Sequence, residues 1–250
     1  MIEIFMGFCI AVAIGLTGVG GGTLTTPLLI LVLRMPPAAA VGTALFFAAV
    51  MQFTATPIYF IRRQVNFRAW GWMLLGGLPG VVAGGLLLRH LSKTLNQHTL
   101  FIVLGCVIFS AAIANMYRLI RLRGANGSGN HPRWLAPLML PVGAEVGFSS
   151  AGAGALGSLA LLGLTRLEGT QVVATDLAFA MVLTTVGSGI QVFAGNFDGT
   201  VLVKLLIGGL AGVAVGTWLA TRIPSIPLKW GLAAWLAGLG ANLFIRGIIT

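Results

Sequence analysis

The sequence predicts an all-α polytopic membrane protein made of two homologous repeats. Two observations carry this expectation. Hydrophobic residues make up 57% of the 250 and charged residues 8%, with a mean hydropathy of +0.98. Soluble domains carry about 25% charged residues. The second observation is internal: residues 15–91, shifted by 132 positions, fall on 147–223 without a gap. Gly15, Gly20, Gly22 and Leu24 land on Gly147, Gly152, Gly154 and Leu156, and Thr43 and Leu45 on Thr175 and Leu177. Gly76, Gly80 and Gly84 land on Gly208, Gly212 and Gly216. Internal duplication in a membrane chain points to a site between the two halves.

Apolar segments run over 2–33, 38–61, 70–90, 98–120, 134–164, 171–195, 201–221 and 228–249. A straight spanning helix needs about 20 residues, which most of them supply. Segments 2–33 and 134–164 are too long for one pass, correspond in the two repeats, and each carry a Gly-rich break. Each repeat is therefore expected to hold a broken or re-entrant first segment plus three spanning helices. Repeat 1 covers 1–120, the basic loop 121–133 links it to repeat 2 at 134–250, and 1–250 is one membrane domain. The two alternatives for the long segments differ in topology. If each crosses once, nine of the 15 Lys and Arg share a side. If each turns back, Arg62, Arg63, Arg68, Arg118, Arg121, Arg123, Arg133, Arg166, Arg222 and Lys229 share it, a split of 10 to 5. The positive-inside rule favours the second, which inverts repeat 2 and puts the N-terminus outside. The first basic residue is Arg34, so no cleaved signal peptide is expected.

The net charge of +10 lies in short breaks between apolar runs, where it sets topology, and no nucleic-acid motif accompanies it. Cys9 and Cys106 and the three histidines show no metal-ligand spacing, so neither a metal nor a cofactor is expected. The strongest local motif is Gly18-Val19-Gly20-Gly21-Gly22, followed by Thr23, Thr25, Thr26 and Pro27. Glycine admits irregular backbone and proline removes a donor. Free amides at a half-helix N-terminus bind anions without a charged side chain. The second copy, with Gly152 and Gly154, has Ala153 for Gly21 and Leu159 for Pro27.

Gly76, Gly80, Gly84 and Gly208, Gly212, Gly216 recur every four residues and so form helical stripes, suited to close helix packing between repeats or in a homodimer. Gly42-Thr43 and Thr175 follow short polar breaks; the hydroxyls are expected to cap a helix, bond to backbone or touch substrate. Asp176 and Glu145 are ionisable groups within membrane segments, functional candidates by default. Their images are Ala44 and Ala13, so the carboxylates belong to one repeat, as a coupling site for a proton or cation would. Gln52, Gln191 and Asn242 are weaker polar candidates. A cation or metal permeation protein is the alternative these carboxylates allow. No nucleophile–base constellation suggests an enzyme.

The run GLTGVGGGTLTTPLLI, then AAAVGTALF, then Tyr59 to Phe67 and LLGGLPGVVAGGLL, resembles the sulfite exporter TauE/SafE family, also called the four-toluene sulfonate uptake permeases. The resemblance covers nearly the whole chain. It implies a permease of the bacterial inner membrane for small anions, with sulfite, sulfoacetate and other organosulfonates as substrate classes. By motif, Gly20, Gly21, Gly22, Pro27, Gly42 and Thr43 would be the family-pattern positions, with Thr175 their counterpart in repeat 2. Ala153, Leu159 and Asp176 depart from that pattern. The expected partners are the lipid bilayer and a small anion.

Overall fold

The computed structural model describes residues 1–17, 22–121, 131–151, 156–220 and Gly238. Among them the chain forms ten α-helices: α1 Ile2–Thr17, α2 Gly22–Leu33, α3 Pro37–Ala55, α4 Pro57–Ile61, α5 Phe67–Thr94, α6 Gln97–Arg121, α7 Leu135–Ser149, α8 Leu156–Leu164, α9 Gly169–Phe193 and α10 Gly199–Ala220. A 3-10 turn, Pro132–Trp134, precedes α7. Among the described residues four helices are long and apolar enough to cross a membrane: Pro37–Ala55, Phe67–Thr94, Gly169–Phe193 and the stretch Gly199–Gly216. The segment 228–249, apart from Gly238, and most of the 121–133 loop lie outside the described residues.

Local chemistry sets the helix ends. Pro37 opens α3, where its missing N–H costs nothing. The Asn66 side chain caps α5, accepting from the Ala69 amide at 3.0 Å, and Asp198 caps α10, accepting from Thr200 and Val201 at 2.9 and 3.1 Å. The apolar segment 38–61 is not one helix: α3 stops at Ala55 and α4 restarts at Pro57, whose ring nitrogen has no N–H to carry the α3 hydrogen-bond ladder on. Segment 70–90 is longer than expected, extending over Phe67–Thr94. Pro27 does not make the first break. It sits inside α2, which begins five residues before it at Gly22. The first residues of α1, α2, α3 and α5, moved by 132, fall within two residues of those of α7, α8, α9 and α10.

Glycines fix how the helices run. Gly208, Gly212 and Gly216 of α10 lie against Ile4, Phe8 and Val12 of α1, and Gly76, Gly80 and Gly84 of α5 against Ala136, Leu140 and Ala144 of α7. A step of four along one helix is matched by four in the same sense along the other, so α1 runs parallel to α10 and α5 to α7. Gly77 meets Phe179 and Leu183, Val81 meets Gly187, and Gly85 meets Ile190, so α9 runs with α5. Between α3 and α9 the sense reverses, because Gly42 meets Gln191 while Leu45 meets Gly187. Helix α3 runs with α10: Asp198 at the head of α10 bonds to Thr43, and Gly209 farther along meets Phe47 and Met51. Helices α1, α3 and α10 therefore point one way and α5, α7 and α9 the other.

The chain between α1 and α3 must come back before α3 can set out in the direction of α1, and α2 makes that return. Helix α8 does the same between α7 and α9. The 16 residues of α1 span about 24 Å and the 12 of α2 about 18 Å, both short of the roughly 30 Å of a bilayer core. At the glycine stripes the packing is backbone to backbone. A Cβ on Gly76, Gly80, Gly84, Gly208, Gly212 or Gly216 would run into a carbonyl of the facing helix. Phe47, Phe179, Leu45 and Met73 are fully buried where α3, α5, α9 and α10 meet.

Candidate functional site

The two hairpins meet at their tips. Helix α7 ends at Ser149, and Ser150 takes a left-handed backbone with φ 59°. That conformation costs an L-residue about 1–2 kcal/mol; the residue 132 positions earlier is Gly18, for which it would cost nothing. The serine hydroxyl gives the strain a purpose. Its Oγ donates to the Gly22 carbonyl at 2.9 Å and lies 2.5 Å from the Thr26 hydroxyl, both in the first turns of α2. Ser149 donates back to the Glu145 carbonyl at 3.0 Å and accepts from the Ala151 amide at 3.2 Å. Thr25, Thr26, Ser149 and Ser150 are all fully buried. A Cβ on Gly22 would strike the Ser150 carbonyl, so the two tips touch through backbone as well.

Asp176 lies in the second turn of α9 and is 2% exposed. It is therefore enclosed by protein rather than exposed at the mouth of its helix. Ser158 of α8 donates to its Oδ2, and Gly157 brings the α8 backbone directly onto Oδ1. Any side chain at 157 would displace the carboxylate. Ser158 stands 132 residues after Thr26, so the hydroxyl that joins the tips on one side serves the carboxylate on the other. Glu145 is half-buried on α7, one turn before Ser149.

Thr43 and Thr175 are fully buried but cap nothing, because α3 and α9 begin six residues before them. Each accepts a backbone hydrogen bond from the residue that caps another helix. Asp198 N donates to Thr43 Oγ1, and Asn66 N donates to Thr175 Oγ1, both at 3.0 Å. The pairs are reciprocal: α3 grips the head of α10, and α9 grips the head of α5. Each hydroxyl keeps its own proton to donate elsewhere. Gly42 presses on the Asn196 carbonyl and cannot accept a Cβ.

The structure thus brings Gly22 to the tip junction, puts Thr43 and Thr175 at the helix heads, and puts Asp176 beside α8. Gly20, Gly21, Gly152 and Gly154 lie outside the described residues, as does the side chain of Thr23. Pro27 is buried within α2. Sequence reasoning passed over Ser149 and Ser150. Their signal was a pair of hydroxyls in an apolar run directly before the second break. Among the described residues no three His, Cys, Asp or Glu side chains gather in a metal-binding group.

The chain matches the profile of the family described as Sulfite exporter TauE/SafE over residues 3–243. Among curated relatives, "Probable membrane transporter protein YjnA" of Bacillus subtilis (strain 168) is 32% identical over 255 residues, covering 96% of this chain and 98% of the relative. "Probable membrane transporter protein YdhB" of the same organism is 26% identical, over 92% and 94% of the two chains. A "Probable membrane transporter protein" of Xylella fastidiosa (strain Temecula1) is 27% identical, over 89% and 85%. No solved structure matches the chain.

Proposed function

This chain belongs to the sulfite exporter TauE/SafE family, and from that premise we propose that it is a proton-coupled secondary transporter of a small sulfur-containing anion, sulfite or a sulfonate. The observation that carries the reading is the meeting of the two tips, where Ser150 bridges to Gly22 and Thr26. Half-helix N-termini beside such a junction, inside a membrane domain, present oriented amides in a low-dielectric setting. Neutral donors of this kind bind an anion without the desolvation cost of a buried Lys or Arg.

We read the chain as one membrane domain of two inverted repeats, 1–120 and 134–250, joined by the basic loop 121–133. The opposed directions of α3 and α9, and of α5 and α10, support this reading, as does the 132-residue displacement that relates their bounds. With α2 and α8 as return arms, ten of the 15 basic residues fall on one side. That side is cytoplasmic by the positive-inside rule, the N-terminus faces outward, and the tips meet near the middle of a bacterial inner membrane. The anion sits at the tips, against Gly20, Gly21, Gly22 and Thr23 from one side and Gly152 and Gly154 from the other. Thr43 and Thr175 hold the helix heads that bracket it. Asp176, with Glu145 as the second carboxylate, carries the coupling proton.

The test is flux into proteoliposomes holding the purified protein, with sulfite, methanesulfonate, sulfate and divalent cations under an imposed pH gradient. Sulfite or sulfonate flux that rises with the gradient is the expected result. Divalent-cation flux without anion flux would overturn it and assign Asp176 and Glu145 to a cation path.

A further inference from the structure

Gln52 is 2% exposed and Thr56 fully buried, one turn apart on α3 and at its C-cap. Neither amide atom of Gln52, nor the Thr56 hydroxyl, has a hydrogen-bond partner among the described residues. Other hydroxyls on these helices find one close at hand: Thr54 on the Met51 carbonyl, Thr165 on Leu161, Thr184 on Ala180 and Ser188 on Thr185. Thr184 and Ser188 stand 132 positions after Gln52 and Thr56. The matching face of α9 is thus satisfied, and that of α3 is not. Gln191, the other buried glutamine, reaches the Gly85 carbonyl and accepts from Asn196.

A carboxamide orphaned in a low-dielectric interior weakens the fold, and a native chain that keeps one calls for an explanation in function. Gln52 lies seven residues after Leu45, which packs on Gly187 of α9, so it sits on the side of α3 that faces α9. The chain beyond Thr56 leads through α4 to exposed Arg62, Arg63 and Arg68.

We propose that Gln52 and Thr56 form a second binding position for the transported oxyanion, used in transit between the basic α4–α5 corner and the hairpin tips. This inference rests on the anion reading above. The two amide N–H groups and the hydroxyl donate to the oxyanion's oxygens. The Gln52 carbonyl, which no bare anion satisfies, accepts from an oxyanion that carries its own hydroxyl. The position therefore favours a singly protonated oxyanion, such as hydrogen sulfite, over a sulfonate.

The test uses Gln52→Met and Thr56→Val, both close in size to the native side chains, with sulfite and methanesulfonate flux in proteoliposomes and thermal unfolding in detergent. The KM for sulfite rises about 10-fold, the equivalent of one hydrogen bond to a charged group. The KM for methanesulfonate rises less, and the Tm holds or increases because an orphaned group has gone. Sulfite KM values within twofold of the parent, with a raised Tm, would overturn the proposal and leave a buried water or a plain core defect. Should Gln52→Met fail to fold, Gln52→Asn keeps the amide but withdraws it by a methylene. A raised sulfite KM in that variant supports the position, and an unchanged one overturns it. No anion flux by the unaltered protein would instead sink the transport reading, and this position with it.

Discussion

Ser150 shows how a single residue trades stability for a contact. Its left-handed backbone suits glycine, yet its hydroxyl is the bridge between the tips. Ser150→Gly should therefore raise the unfolding midpoint or leave it unchanged while cutting anion flux. A variant both less stable and fully active would argue that the bridge is only structural. Asp176 makes a second residue-scale case. Asp176→Asn keeps the shape that Gly157 and Ser158 enclose but removes the titratable proton, so flux should lose its dependence on the pH gradient. Unchanged dependence would remove Asp176 from coupling. Thr43→Val leaves the Asp198 amide without its acceptor, a loss of about 1–3 kcal/mol for a buried group, whereas Thr43→Ser restores the bond. Thermal unfolding of the two variants separates them. Asp176 and the threonines stood out in the sequence as polar groups in apolar runs. Their partners did not, because Asp198, Asn66 and Ser158 are remote or unremarkable until the helices pack.

Between helices, the glycine stripes set both distance and direction. Gly80 and Gly212 face carbonyl oxygens of Leu140 and Phe8, and a backbone cannot move aside as a flexible side chain can. Gly80→Ala or Gly212→Ala should cost about 1–3 kcal/mol through forced separation of the helices. Gly71, on the same α5 but with nothing near its missing Cβ, is the control. Gly71→Ala should be neutral or stabilise by about 0.5–1 kcal/mol, the usual helix penalty of glycine. Equal losses at positions 71 and 80 would mean that the stripe does not carry the packing. Spacing by four was legible in the sequence; the partner was not. A stripe fits a neighbouring helix of the same chain as well as a second copy, and the choice of α7 for α5 and α1 for α10 required the tertiary contacts.

For the whole molecule, the return of α2 and α8 predicts sidedness. Single cysteines placed at Arg34 and Arg62, in a chain with Cys9 and Cys106 replaced by Ala, should label from opposite faces of the membrane, with Arg166→Cys labelling with Arg62→Cys. In a chain whose first segment crossed once, position 34 would lie across the membrane from the N-terminus; a tag there labelling from the face opposite position 34 would overturn the proposed topology. Charge counting alone gave only a mild preference, because Lys204 and Arg246 count on the sparser side. Lys204 is 3.2 Å from Glu3 of α1, so a local partner offsets its charge.

Composition and periodicity by themselves determined that this chain is helical, lies in a membrane and carries unusual polar groups within its apolar runs. Those properties are local or additive: apolar length, the absence of Cβ and the spacing of like residues are written in the chain order. The tertiary structure decided what the order leaves open. It turned the two long segments back on themselves, brought Ser150 to Gly22 and Thr26, gave Thr43 and Thr175 the heads of each other's neighbouring helices to hold, and left Gln52 and Thr56 buried without partners. Each of these depends on which surfaces meet across more than a hundred residues of chain, and that is settled by close packing of backbone on backbone, which no single segment contains.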